Sequence, residues 1–233
     1  SLTSTSLNWS GAVCSARGER FRNVIGEVKI PPVPAAPAPP RENRDYRCSI
    51  WVGMGGHRRW DTSLPQVGVM IGFRTGSDVP FLYAWEEWFR GTNTDPFKIM
   101  DQFPITWGDE IILGVLGDPS RQGVTTLFAN LSQAHIHVGG LLSEEAMTGV
   151  DAEWIVERPS PWENLSRPYP LLNYGEVKFA NCVAFADYEG EVRTLSGARK
   201  VQMVERRARP SRTHLISVPE HAADNGIVVS YRP

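Results

Sequence analysis

The run Leu64-Pro65-Gln66-Val67-Gly68-Val69-Met70-Ile71-Gly72-Phe73 constrains the fold more than any other stretch. Its alternation has the period of a β-strand, whose successive side chains point to opposite sides. Pro65, Val67, Val69, Ile71 and Phe73 make an apolar face suited to a core. Gln66, Gly68, Met70 and Gly72 make the other face, where the glycines are expected to leave a groove for a second chain. Gln66 is the one strongly polar group on that face.

Similar short runs recur along the chain. Asn8–Val13, Asn23–Ile30, Ser49–Gly56, Phe81–Phe89, Glu110–Leu116, Gly123–Leu131, Ala134–Val138, Asp151–Glu157, Val177–Asp187 and Ile227–Tyr231 all read as strands. Ser143–Met147 reads as the one helical turn of its region. The 18 prolines and 21 glycines favour turns over long helices. About a dozen short strands with almost no helix imply an all-β, two-sheet antiparallel sandwich. The 233 residues are read as one domain, 1–233, large enough for a sizeable core. The proline-rich stretch Pro31–Pro40 is expected to be a stiff surface loop.

The net charge of −2 gives no general electrostatic reason to expect nucleic acid or an anionic membrane as partner. No apolar run approaches the ~18 residues of a membrane span. The seven basic residues from Arg193 to Arg212 are read as a solvated basic edge or loop. His135 and His137 share a strand face but lack a third ligand nearby, so exposed polar residues are expected and no metal or cofactor is assigned. Cys14, Cys48 and Cys182 allow either one disulfide with a free thiol or three buried thiols.

Several of these segments carry a resemblance. Asn8-Trp9-Ser10-Gly11-Ala12, Trp51-Val52-Gly53, Gln66 followed by Gly68, Tyr83-Ala84-Trp85-Glu86-Glu87-Trp88 and Ala152-Glu153-Trp154-Ile155-Val156-Glu157 are ordered and spaced as in the glutamic peptidases, or eqolisins. The chain resembles that family over nearly its whole length. The resemblance implies a lectin-like jelly-roll sandwich with a concave substrate cleft. It implies an acid-acting, secreted, metal-independent endopeptidase, a monomer with a polypeptide substrate. By position, Gln66 looks like the family glutamine and Glu153 like the family glutamate. Trp9, Trp51, Tyr83, Trp85 and Glu87 are carried over as cleft residues. The chain departs from the fungal pattern at Gly55 and Tyr83, where the resemblance places aspartates.

The implied chemistry is coherent. A carboxylate, here assigned to Glu153, can take a proton from the attacking water and return it to the leaving nitrogen. A glutamine amide, here Gln66, can donate to the developing oxyanion at any pH at which the protein folds. Two other readings compete. One is a non-catalytic, lectin-like sandwich that binds carbohydrate or peptide by stacking on its aromatic rings. The other is a glycosidase with Glu87 and Glu153 flanking a sugar bond.

Overall fold

The computed structural model describes residues 2–37, 43–91, 97–187, 190–208 and 211–233. Those residues contain no helix. The strands are β1 (Thr3–Ser6), β2 (Trp9–Ser15), β3 (Asn23–Lys29), β4 (Tyr46–Met54), β5 (Leu64–Phe73), β6 (Pro80–Phe89), β7 (Lys98–Met100) and β8 (Glu110–Gly117). They continue with β9 (Gly123–Asn130), β10 (His135–Leu142), β11 (Asp151–Glu157), β12 (Glu176–Phe185), β13 (Val192–Arg193), β14 (Arg199–Ala208), β15 (Ser211–Ala222) and β16 (Gly226–Tyr231).

One hydrogen-bonded path runs β10-β9-β8-β3-β12-β16-β15-β14-β2-β11-β4-β5-β6-β7. Its pairs are antiparallel, and β1 joins β14 in parallel. The sandwich is thus one unclosed sheet folded over on itself. The first six strands of the path make one layer, and β2 with the strands after it make the other. β15 and β14 carry the ladder across, with a register shift at Met203/Val204 that lets the sheet turn.

Strict alternation sorts side chains between the two sides of the second layer. Ile50 and Val52 of β4, Val67, Val69 and Ile71 of β5, and Ala152, Trp154 and Val156 of β11 point inward. There they meet Val28, Leu113, Phe128 and Phe179 from the facing layer. Trp154 ties the layers together: it is fully buried, and its indole N–H donates to the Ile25 carbonyl at 3.0 Å. Gly26 leaves room for that ring, since a Cβ there would lie 2.8 Å from it.

The sequence expectations outside the cleft fare differently. Ser143–Met147 forms no helical turn, because the Met147 N–H bonds the Arg121 carbonyl across the chain and its side chain enters the core. The basic run is mostly strand: Arg193 lies in β13, Arg199, Lys200, Arg206 and Arg207 in β14, and Arg212 at the start of β15, while Arg209 lies outside the described residues. Val201 and Met203 within it are buried, and Arg206, Arg207 and Arg212 sit where β14 and β15 pair only with each other, with Arg206 and Arg212 exposed. Residues 31–37 form no strand, and Pro39 and Pro40 also lie outside the described residues. All three cysteines are free and buried.

Candidate active site

The outward side of the second layer carries the functional side chains. Strand pairing sets them in rows. One row runs Glu153, Gly53, Gln66, Glu87 across β11, β4, β5 and β6. The next runs Ile155, Trp51, Gly68, Trp85, and a third runs Glu157, Ser49, Met70, Tyr83. The glycines expected to open a groove are instead covered by a neighbour. A Cβ on Gly68 would lie 2.6 Å from the Trp51 Cβ, and one on Gly72 would lie 2.9 Å from the Phe81 ring; on β4, one on Gly53 would lie 3.0 Å from the Trp51 ring. Trp51 is therefore the packed floor, fully buried, and Trp9 stands on it edge-on at 5.0 Å. His57 stacks in turn on Trp9.

Above this floor lies a cleft of about 850 Å³. Trp9, Gln66, Tyr83, Trp85 and Glu87, all expected from the sequence, line it. Trp51 supports it from below and does not line it. Pro159, Trp162 and Tyr169 from the loop after β11 form one wall, and His57 and Asp61 contribute to another.

Glu153 does not reach this cleft. It shares the cleft-facing side of β11 but is fully buried, and neither carboxylate oxygen makes a hydrogen bond of good geometry among the described residues. It sits beside the Gly55 backbone and near the carboxylates of Asp151 and Asp61. Burial, reinforced by those charges, raises its carboxyl well above the usual range. Asp151 has its own cation, Arg58, at 3.0 Å.

The glutamate that lines the cleft is Glu157, four residues on along the same face. The Trp9 indole N–H donates to its carboxylate at 2.7 Å. Burial pushes it up to about 8, against the pull of that hydrogen bond, and the charge of Glu87 pushes the same way. Glu87 is itself raised to about 7 by burial, and the Gln66 amide opposes that by donating to it at 3.1 Å. The carboxyls of Glu87 and Glu157 and the carboxamide of Gln66 thus face one cleft.

The two departures from the resemblance also acquire a structural meaning. Gly55 has a φ of +93°, in the region that favours glycine. A Cβ there would lie 2.2 Å from the Ser63 carbonyl oxygen and 3.1 Å from Asp61 Oδ2, so the Ser63 backbone excludes a side chain at 55 and the Asp61 carboxylate lies beside that position. Asp61 is held by the Thr148 hydroxyl at 2.7 Å, and its carboxyl is raised by burial. The Tyr83 hydroxyl accepts from Arg47 at 3.0 Å, and its ring stacks on Phe81 and Phe97. Among the described residues, no three His, Cys, Asp or Glu side chains gather as a metal site.

The fold is similar to that of scytalido-glutamic peptidase bound to a transition-state analogue inhibitor: TM-score 0.75, 20% identity, with 97% of this chain and 99% of that chain covered. SCP-B, an eqolisin in complex with the tripeptide Ala-Ile-His, matches with TM-score 0.71 and 20% identity over 97% of this chain and 99% of that one. Aspergilloglutamic peptidase from Aspergillus niger matches with TM-score 0.64 and 22% identity over 80% of this chain and 99% of that one. A sequence search of curated proteins finds no significant match. The model of the peptidase A4 family matches residues 7–229, nearly the whole chain. This chain belongs to the peptidase A4 family, the glutamic endopeptidases of eqolisin type.

Proposed function

We propose that this chain hydrolyses polypeptides with Gln66 and Glu157 as its working pair, and that Glu153 is structural. One observation carries the reading: Glu157 opens into the same cleft as Gln66, while Glu153 is sealed away from it. The family and the inhibitor and tripeptide complexes of its structural relatives support a polypeptide as substrate.

In this mechanism, ionised Glu157 takes a proton from a water held in the cleft. That water attacks the scissile carbonyl carbon. One N–H of the Gln66 amide is engaged by Glu87, which orients the group, and the other donates to the developing oxyanion. The tetrahedral intermediate collapses as Glu157 returns its proton to the leaving nitrogen. The indole of Trp9 holds the carboxylate in place through both steps. Gln66→Ala is expected to lower kcat about 10²–10³-fold by removing the oxyanion donor. Cleavage of a denatured protein by the folded variant checks this, and wild-type activity in it would remove Gln66 from the mechanism.

The pH dependence follows from the raised carboxyls. The base works only when ionised, so kcat/KM rises with pH along the acid limb. With Glu87 and Glu157 raised to about 7 and about 8, that limb lies at neutral to mildly alkaline pH, well above the limb an ordinary carboxylate would give. Negative charge on Glu87 holds a proton on Glu157. Glu87→Gln is therefore expected to move the acid limb to lower pH. A pH profile of kcat/KM for both proteins measures it, and an unmoved or raised limb contradicts the coupling.

A further inference from the structure

Basic side chains concentrate at the Phe81 end of the cleft. Arg47 and Arg74 both lie over the Phe81 ring, at 5.0 and 4.7 Å from its centroid. Arg47 and Arg44 also lie over Tyr169, at 4.9 and 5.2 Å. Three guanidinium groups thus gather around two rings. Asp45 accepts from Arg47 at 2.8 and 3.0 Å. Arg47 spends a further donor on Tyr83, and Arg44 donates to the carbonyls of Arg167 and Pro168.

Arg74 differs from both. It lines the cleft and is exposed, and its guanidinium has no hydrogen bond or ion pair among the described residues. Stacking on Phe81 restrains the group without using its N–H donors. A restrained planar fork with free donors is suited to a carboxylate, which it can bind through two parallel hydrogen bonds. Asp45 pairs with Arg47, and Arg74 has no carboxylate within ion-pair distance among the described residues.

Strand spacing places this group relative to the reaction. The Trp85 row lies between the Gln66 row and the Glu157 row. Phe81 is four residues from Trp85 along β6, or roughly 13 Å at the rise of a strand. An extended peptide has the same rise. We propose that Arg74, backed by Arg47, makes this enzyme prefer substrates with an acidic side chain about four residues from the scissile bond. This rests on the peptidase reading above.

The test uses matched peptides in which one Glu, or one Gln in its place, is moved across five positions on each side of a fixed cleavage site. The full chain is expected to favour Glu at one position near the fourth by roughly two- to five-fold in kcat/KM, the range for a solvent-exposed ion pair. The preference should shrink as salt is raised. In Arg74→Ala the Glu/Gln ratio at that position falls to about one, and Arg74→Glu favours Lys there instead. No preference at any position, or the same ratio in Arg74→Ala, overturns the proposal and leaves the peptidase reading intact. If no peptide is cut, the same pairs are titrated by fluorescence anisotropy. Binding that favours Glu only when Arg74 is present keeps the charge selection and removes hydrolysis; equal binding removes both.

Discussion

Glu157→Gln is expected to lower kcat/KM on a denatured protein by about 10²–10⁴-fold, the usual contribution of a positioned general base. The substitution is nearly isosteric and leaves a group that can still meet the Trp9 indole, so the fold should survive. Glu153→Gln is expected to stay within about ten-fold of the native chain, because a residue sealed from the cleft cannot touch the substrate. Steady-state kinetics on the two variants, with folding verified by circular dichroism, decides between them. Loss of activity in Glu153→Gln with retention in Glu157→Gln would return the base to Glu153. The contrast is informative because both residues lie on β11, face the same side and carry the same chemistry. What separates them is cover. Glu153 lies beside the Gly55 backbone and is fully buried, whereas Glu157 lines the cleft and meets the Trp9 indole.

The second large effect is on stability, and again turns on Glu153. Its folded carboxyl is raised well above the ordinary 4.5. Between that value and the folded one, the folded chain keeps a proton that the unfolded chain releases. Stability is therefore complete below about pH 4.5 and falls as pH rises through the folded value. Glutamine has no charge to lose, so Glu153→Gln should flatten the dependence. Near pH 4 the two proteins should melt at similar temperatures. At pH 8 the variant should be the more stable by about 2 kcal/mol or more, since a buried carboxylate with no partner is expensive. Thermal melts across pH 4–8 measure it, and parallel curves for the two proteins would contradict the assignment. Glu87, Glu157 and Asp61, also raised by burial, act in the same direction. The native chain should accordingly be more stable in mild acid than at pH 8.

Asn130 gives a smaller example of the separation between local and tertiary information. In the sequence it heads one of three Asn-x-Ser sequons, alike in pattern to Asn8 and Asn164. In the fold its side chain is buried and donates to Asp109 and the Pro104 carbonyl, which removes it as an accessible acceptor. Burial depends on what packs from elsewhere in the chain, and a three-residue pattern carries none of that.

Much of the architecture is legible in the alternation of the sequence. The period of Leu64–Phe73 coincides with the bounds of β5, and it assigns Val67, Val69 and Ile71 to the core side correctly. The same period puts Gln66, Trp85 and Glu87 on a common face, because strand side chains alternate whatever the neighbours are. β1, β7 and β13 are not legible, because two to four residues are too few to show a period. β14 is hidden because its basic residues mask the buried Val201 and Met203.

The sequence by itself determined most of the strands, their faces and the residue types that could meet in a cleft, since these follow from a backbone period of two. Only the tertiary structure decided which glutamate is open to substrate, which tryptophan is floor and which wall, and that Asp61 occupies the space beside Gly55. Those outcomes depend on cover supplied by segments far apart in the chain. Alternation gives the direction of a side chain but not what lies above it.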